Sequence, residues 1–272
     1  MNLNGKLLQN NIEVFNNLNR AFKYGDALFE TIKVIDLKVV FLEDHYFRLM
    51  ASMRMLRMEI PLNFSLEFFQ EEIIKTVSDS NLQNARVRIT VYRKDGGLYL
   101  PKENSINYLI EVNELNTIPK PNYEIDIFKD YFISSGLLST IKTINKLTNV
   151  LASIYASENE LDNCILINEK KNVVEAINGN IFIVSNNIIK TPPISDGCVK
   201  GIIRKKIIEI ANNNEKYNLE EVQISPFDLL KANEIFITNS IVGIQSVTKY
   251  KKSTFFTEVV ATELAIELTK LV

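Results

Sequence analysis

The sequence predicts a mixed α/β protein built from two domains. Runs rich in β-branched and aromatic residues alternate with segments whose apolar residues recur every three or four positions, as in amphipathic helices. A polar, proline-bearing stretch (NELNTIPKP) interrupts this pattern near the middle of the 272-residue chain and is typical of a linker. We therefore predict a smaller N-terminal α/β domain over residues 1–113, a linker over 114–121 and a larger C-terminal domain over 122–272.

A hairpin and a helix are predicted near the start of the N-terminal half. The residues Asp36-Leu37-Lys38 separate two β-rich runs, which indicates a β-hairpin. Asp44 follows the second run and is placed to cap the next helix. From Ala85 to Tyr92 apolar residues alternate with polar ones, which predicts a strand with one buried face. The predicted strands are 29–35, 39–42, 85–92 and 106–112. One helix is predicted to begin at Asp44, and a second is predicted over 66–77.

The C-terminal half repeats the alternation of strands and helices with polar turns between them. The pair Asn186-Asn187 is one such turn, and an amphipathic helix is predicted at the end of the chain. The predicted strands are 123–128, 164–168, 173–175, 181–184, 219–224 and 234–238, and the predicted helices are 149–161, 202–211, 226–231 and 258–271.

The charge balance narrows the class of partner. Lys and Arg number 31 and Asp and Glu number 33, so the formal net charge is −2. A general nucleic-acid-binding protein carries an excess of positive charge, so we expect no nucleic-acid partner. The net charge does not exclude a local cluster of basic residues in a cleft. No apolar run approaches the roughly 20 residues of a membrane-spanning helix, so we expect no membrane partner either.

Cysteine and histidine are scarce. The chain has one His and two Cys, Cys164 and Cys198, which are far apart in sequence. This set neither builds a His/Cys zinc site nor forms a disulfide framework, and it favours a reducing compartment. The opening residues lack the basic and apolar regions of a signal peptide, so we expect a cytoplasmic protein without a bound metal.

Taken one at a time, the candidate reactive residues have ordinary explanations. Lys142 is consistent with a solvated surface lysine, and His45 with a structural histidine. Glu175 fits an exposed carboxylate at the end of a strand. The segment Gly201–Arg204 fits a loop that enters a helix, and Asp95–Gly97 fits a turn. Only the order and spacing of these segments point to a common function.

Six segments, taken in order, resemble the class IV aminotransferases. This family of pyridoxal-phosphate enzymes contains branched-chain and D-amino acid transaminases and aminodeoxychorismate lyase. The resemblance implies the family's fold, in which a larger C-terminal domain combines a mixed β-sheet or pseudo-barrel with helices, and it implies a homodimer. The segments are YGDALFETIKV (24–34), HYFRL (45–49), TIKTINKL (140–147), VVEAINGNIFIV (173–184), KTPPISDGCVKGIIR (190–204) and EIFITNS (234–240).

The resemblance also implies roles for individual residues. The family's catalytic lysine, which bonds to pyridoxal 5′-phosphate and moves protons, falls on Lys142. Glu175 matches the carboxylate that keeps the pyridine nitrogen protonated, and Arg48 matches the arginine that grips the phosphate. The resemblance also implies that the backbone N–H groups of Ile202 and Ile203, at a helix N-terminus, bind the phosphate. The polar pair Asn239 and Ser240 is the last implied phosphate ligand.

Three local features favour the lyase over the transaminases. Thr31 stands where lyases tend to have Thr, and Lys146 follows Asn145 as a basic residue does in lyases. The double glycine Gly96–Gly97 after Arg93 resembles the end of the corresponding lyase strand. The resemblance therefore implies that Phe29, Thr31 and Arg93 bind the substrate, a small molecule. The alternative hypothesis is a transaminase of D- or branched-chain amino acids. A third hypothesis is a homologue without catalytic activity.

Overall fold

The computed structural model describes residues 1–9, 13–116, 118–251, 253–254 and 257–272. The chain forms two compact units, one of Met1–Asn116 with Lys142–Asn145 and one of Thr117–Ile141 with Lys146–Val272. The boundaries of the predicted domains stay predictions, and Thr117 of the predicted linker lies outside the described residues. Across these ranges the structure contains no helix that is long and apolar enough to cross a membrane.

The first unit is a sheet covered by helices. Its described strands follow the order β2-β1-β6-β5-β3-β4, and every pair in it is antiparallel. The elements are β1 (Asn2–Leu3), β2 (Lys6–Leu7), α1 (Arg20–Tyr24), β3 (Ala27–Ile35), β4 (Lys38–Val39), α2 (Leu42–Met55), α3 (Leu66–Asp79), β5 (Ala85–Arg93) and β6 (Ile106–Glu114).

The alternation of side chains along β3 separates the two faces of this sheet. Leu28, Ile32 and Val34 are buried on the face that contacts α2, and Phe29 and Thr31 lie on the opposite face. The same alternation holds in β5, as the sequence predicted. A charged residue on the helix-facing side of β3 therefore has to find its partners inside the core.

The second unit contains two sheets and four helices among its described residues. One sheet has the order β12-β11-β10-β13-β14 and the other β16-β15-β7-β8-β9. The elements are β7 (Glu124–Ile133), a 3₁₀ turn (Leu137–Thr140), α4 (Leu147–Glu158), β8 (Asn163–Asn168), β9 (Val173–Ala176), β10 (Asn180–Ser185), β11 (Ile188–Thr191), a 3₁₀ turn (Ile194–Asp196), α5 (Ile202–Asn212), β12 (Asn218–Glu221), α6 (Pro226–Lys231), β13 (Glu234–Asn239), β14 (Gly243–Val247), β15 (Lys249–Tyr250), β16 (Ser253–Thr254) and α7 (Val259–Thr269).

Both sheets of the second unit supply its main core. Ile165 of β8 packs in one buried cluster with Ile181 of β10 and Ile235 of β13. Its neighbours in sequence, Cys164 and Leu166, point the other way and pack against α4. Strand β8 is thus buried on both faces, which is why its four central residues are all apolar rather than alternating with polar ones.

The structure confirms the mixed α/β class and corrects several element boundaries. Asp44 does not cap a helix, because α2 already begins at Leu42, in the run predicted as strand 39–42. Asp44 lies instead in the first turn, where a negative charge faces the positive end of the helix dipole. Among the described residues, the sequence reasoning missed seven short elements of two to five residues each, namely α1, β1, β2, β11, β14, β15 and β16. The strand predicted over 219–224 ends at Glu221.

Candidate functional site

Backbone hydrogen bonds hold Lys142 against the start of β3. The N–H of Phe29 donates to the carbonyl oxygen of Lys142 at 2.9 Å, and the N–H of Ile144 donates to that of Ala27 at 3.2 Å. The ammonium nitrogen of Lys142 lies 4.3 Å from the centre of the Phe29 ring. A main chain fixed on both sides of Lys142 restricts where its amine can reach.

The face of the sheet that carries Phe29 collects polar groups around this lysine. Thr31 follows Phe29 by two residues and therefore projects from the same face. Arg88 of β5 lies directly opposite Thr31 in the register of the two strands, and its guanidinium carbon is 3.9 Å from the centre of the Phe29 ring. An amine and a guanidinium thus lie over one aromatic ring, and a hydroxyl projects from the same face of the strand. We call this set of Phe29, Thr31, Arg88 and Lys142 the Phe29 face.

The opposite face of β3 buries a second polar network. Nε of Arg48 donates to Oε1 of Glu30 at 2.8 Å, and Nη2 of Arg48 donates to Oε2. Nδ1 of His45 lies 2.8 Å from the same Oε2. His45 and Arg48 are three residues apart on α2, so both reach Glu30 from one side of the helix. We call Glu30, His45 and Arg48 the buried triad.

The charge states of the buried triad follow from its contacts. Burial alone would raise the pKa of Glu30, but the Arg48 guanidinium and the hydrogen bonds from His45 and Arg48 outweigh it and lower this pKa to about 2. Burial lowers the pKa of His45, against the pull of Glu30. An ionised Glu30 only accepts hydrogen bonds, so Nδ1 of a neutral His45 carries the proton. Nε2 of His45 is then a buried acceptor, and it has no hydrogen-bond partner among the described residues.

Arg93, predicted to bind the substrate, has a different position. It is 6% exposed, and its Nε donates to Asp26 at 2.9 Å. Its Nη1 donates to Asn104 at 2.7 Å, and its Nη2 donates to the carbonyl oxygen of Leu56 at 2.7 Å. Since these contacts occupy each of its nitrogens inside the unit, Arg93 braces the end of β5, and its substrate role stays a prediction.

In the second unit, the carboxylate of Glu175 is held by a backbone donor. Glu175 lies in β9 and is 6% exposed. Its Oε2 accepts a hydrogen bond from the N–H of Val199 at 2.9 Å. The carbonyl oxygen of Val199 in turn accepts from the N–H of Gly201 and from Nδ2 of Asn180. The turn that leads into α5 is therefore tied to Glu175 and to the start of β10.

Gly201 allows this turn to lie close to Asn180. A Cβ atom at Gly201 would be 1.9 Å from Oδ1 of Asn180, so no other residue fits without movement. Gly201 is also the N-cap of α5, and no side chain caps this helix end. Ile202 and Ile203 bury their side chains, so their backbone N–H groups are what they offer at the helix N-terminus.

Asn239 and Ser240 lie where β13 turns into β14. Oδ1 of Asn239 accepts hydrogen bonds from the N–H groups of Ile241 and Val242, at 3.0 and 2.9 Å, and this shapes the turn. The preceding residue, Thr238, pairs with Asn180 across the two strands. The second unit thus brings Glu175, the N-terminus of α5 and the end of β13 around Asn180. The cofactor-binding roles predicted for the residues of this cluster stay predictions.

Sequence reasoning missed three residues of these clusters. Glu30 lies within a segment that carries the resemblance, but no role was predicted for it, and His45 was assigned only a structural one. Arg88 is one of the polar residues in the alternating strand predicted from Ala85 to Tyr92, and no function was predicted for it. The alternation of residues along β3 and β5 puts Arg88 beside Thr31 once the register is known, and that register was the missing information.

Comparison with known proteins identifies the family. Residues 27–250 match the profile of the family described as amino-transferase class IV. Since the match spans most of the chain, this protein belongs to the class IV aminotransferases.

The chain is similar to proteins that are named for different activities. The chain is 31% identical over 253 residues to a Methanocaldococcus jannaschii protein provisionally named a branched-chain-amino-acid aminotransferase, covering 90% of this chain and 85% of that one. A Legionella pneumophila structure provisionally named 4-amino-4-deoxychorismate lyase superposes with a TM-score of 0.87 at 24% identity, covering 97% of each chain. A branched-chain aminotransferase from Thermoproteus uzoniensis, solved with norvaline, gives a TM-score of 0.90 at 22% identity, covering 98% of this chain and 92% of that one.

The buried triad predicts a loss of stability in acid. The lowered pKa of Glu30 stabilises the folded state above about pH 4.5, and this contribution disappears as the pH falls toward 2. A shift from 4.5 to about 2 corresponds to about 3 kcal/mol. The lowered pKa of His45 acts in the same direction below pH 6.5, because only the unfolded chain takes up that proton easily. Urea unfolding between pH 7 and pH 3 measures the decrease.

The variant Glu30→Gln is the comparison for this experiment. It is less stable than the wild type at pH 7, because Arg48, whose side chain is largely buried, loses its counter-charge. Its stability should depend less steeply on pH below 4.5, and the same slope in both proteins would contradict the assignment to Glu30.

Proposed function

We propose that this protein is a pyridoxal-5′-phosphate-dependent lyase that converts aminodeoxychorismate to 4-aminobenzoate and pyruvate. The observation that carries the proposal is the Phe29 face, where Thr31 projects from the same side of β3 as the ring beneath the Lys142 amine. Threonine at this position is the feature of the sequence that favours elimination, and its hydroxyl stands on the side where Lys142 acts.

The donor groups of the chain fit the cofactor. Lys142 supplies an amine for its aldehyde carbon, and Glu175 supplies a carboxylate for its pyridine nitrogen. Arg48 supplies a planar guanidinium for its phosphate. Backbone N–H groups of Ile202 and Ile203 and the polar side chains of Asn239 and Ser240 complete the proposed phosphate ligands. Gly201 supports this assignment, because only a residue without Cβ lets the backbone lie so close to Asn180.

When bound, pyridoxal 5′-phosphate supplies an electron sink for the charge that develops on the amine-bearing carbon of the substrate. Lys142 then takes the proton from that carbon as a general base. The bond from the ring to the enolpyruvyl oxygen breaks, the oxygen leaves with its electron pair, and with one proton the group becomes pyruvate. The ring already contains two double bonds, so the loss of this one ring proton and of the enolpyruvyl oxygen makes it aromatic and leaves 4-aminobenzoate. The proton that left the ring is balanced by the one that pyruvate takes up, and no amino group is transferred.

Two residues of the Phe29 face have proposed roles toward the substrate. Thr31 orients it or relays a proton, since its hydroxyl both donates and accepts hydrogen bonds. Arg88, directly opposite, offers a guanidinium to a substrate carboxylate, and aminodeoxychorismate has two. Phe29 supports both by holding the cations of Arg88 and Lys142 on its ring.

Transamination is the second candidate function. The 31% identity to a relative named as a branched-chain-amino-acid aminotransferase favours it. In this alternative the amino group passes from the amino acid to 2-oxoglutarate by way of the bound cofactor, and Lys142 moves the protons that this transfer requires. The homodimer that the resemblance implies and the cytoplasmic location that the cysteine content favours stay predictions.

Borohydride reduction tests the role of Lys142. The purified wild-type protein should be yellow, and reduction should fix the cofactor covalently on the peptide that contains Lys142. Lys142→Ala should lose this adduct, because it removes the amine that bonds to the cofactor. Peptide mass spectrometry identifies the modified residue. Lys146→Ala, which removes a nearby lysine amine, is the matched control and should keep the adduct. An adduct that persists in Lys142→Ala would overturn the assignment.

A comparison of substrates distinguishes the two reactions. We expect 4-aminobenzoate and pyruvate from aminodeoxychorismate, at about 1 per second or faster. Leucine or D-alanine with 2-oxoglutarate should give negligible glutamate. Chromatography of 4-aminobenzoate and an enzymatic glutamate assay measure the two products. Glutamate formed at that rate without any 4-aminobenzoate would establish the transaminase instead.

Substitutions of Thr31 test its hydroxyl directly. Thr31→Val keeps the shape and removes the hydroxyl, so lyase turnover should fall by about 10²-fold if the hydroxyl relays a proton. Thr31→Ser restores a hydroxyl and should recover most of the rate. Steady-state kinetics, with the absorbance of the bound cofactor as a check on loading, measures both. Equal rates for Val and Ser would remove Thr31 from the mechanism.

A further inference from the structure

Glu30 holds Arg48 by one edge of its guanidinium. The bonds from Nε and Nη2 use both carboxylate oxygens, so the plane of the guanidinium is set by Glu30. Glu30 is 1% exposed, and α2 and β3 enclose it, which leaves the pair little freedom. The end of the guanidinium formed by Nη1 and Nη2 therefore has a fixed direction.

His45 holds Glu30 in turn. Its Nδ1–H donates to Oε2, the same oxygen that accepts from Nη2 of Arg48. His45 is 1% exposed and lies one helical turn from Arg48, so the ring and the guanidinium approach the carboxylate from the same helix. The carboxylate is thereby fixed by two partners before any ligand arrives.

We propose that Glu30 is a positioning residue for the cofactor phosphate, acting through Arg48, with His45 securing the carboxylate. The inference rests on the proposed assignment of Arg48 to the phosphate. A pre-oriented guanidinium loses less conformational freedom on binding than a mobile one, and this difference increases affinity.

Charge alone predicts the opposite effect. The carboxylate of Glu30 is negative and lies beside the proposed phosphate ligand, so it repels a phosphate. If charge dominated, neutralising Glu30 would tighten phosphate binding. If positioning dominates, the same change weakens it. The sign of the effect therefore distinguishes the two explanations.

The test compares two ligands that differ only in the phosphate. The full chain, stripped of cofactor, is titrated with pyridoxal 5′-phosphate and with pyridoxal, and absorbance gives both dissociation constants. Their ratio measures the phosphate contribution alone. Glu30→Gln should reduce the preference for the phosphate ligand about tenfold, the scale of one charge-assisted hydrogen bond, with pyridoxal affinity unchanged. A general loss of structure would weaken both ligands together.

A double-mutant cycle shows whether Glu30 acts through Arg48. In an Arg48→Met background, Glu30→Gln should change the ratio no further. The matched control is Glu72→Gln, which removes a carboxylate bonded to Asn2 in the same unit and should leave the ratio at the wild-type value. An equal effect of Glu30→Gln in both backgrounds would overturn the inference.

The remaining outcomes separate the inference from the proposed function. A wild-type chain without any preference for the phosphate ligand overturns the proposed phosphate site and the inference with it. A wild-type preference that Glu30→Gln leaves equal or increases overturns the inference alone. Should Glu30→Gln fail to fold, Arg48→Lys replaces it, since lysine keeps the charge but not the two parallel bonds. Loss of the preference in that variant supports positioning, and full retention overturns it.

Discussion

The alternation of side chains along β3 is the constraint on which the first unit depends. Because neighbouring residues of a strand point to opposite faces, Glu30 enters the core while Phe29 and Thr31 stay on the other side. A slip of one residue against β5 would expose Leu28 and Ile32 and bury Phe29 and Thr31 in the core. The hydrophobic core therefore maintains the register that also places Arg88 opposite Thr31, so packing and chemistry are specified together.

Burial of a carboxylate is costly unless it is paired, and this explains the composition of α2. Glu30 is tolerated inside the unit because Arg48 and His45 satisfy its oxygens from one helix face. Stabilisation is a weak reason for such a pair, since well-packed apolar residues are often at least as stable. A directed guanidinium is a property that apolar residues do not provide, and it is consistent with a cofactor site.

In the second unit a buried carboxylate, that of Glu175, is held by a backbone N–H group rather than by charged side chains. Val199 donates its N–H to Glu175 and accepts from Asn180, so one short turn orients a carboxylate and begins α5. Gly201 makes the close approach possible. These two contacts join residues that are 24 and 19 positions apart in sequence. They depend on the positions of strands β9 and β10, which pair with β8 and β13. Local preferences alone would not bring them together.

The sequence by itself determined the mixed α/β class, most elements and the family, because periodicity and ordered motifs are local signals that survive without coordinates. It also named Lys142, Glu175 and Arg48 through the resemblance. Only the tertiary structure decided that Arg93 braces β5, that Arg88 lies opposite Thr31 and that His45 and Arg48 both bond to Glu30. These facts depend on strand register and on which helix covers which face. Both are set by long-range packing, which no local pattern in the chain encodes.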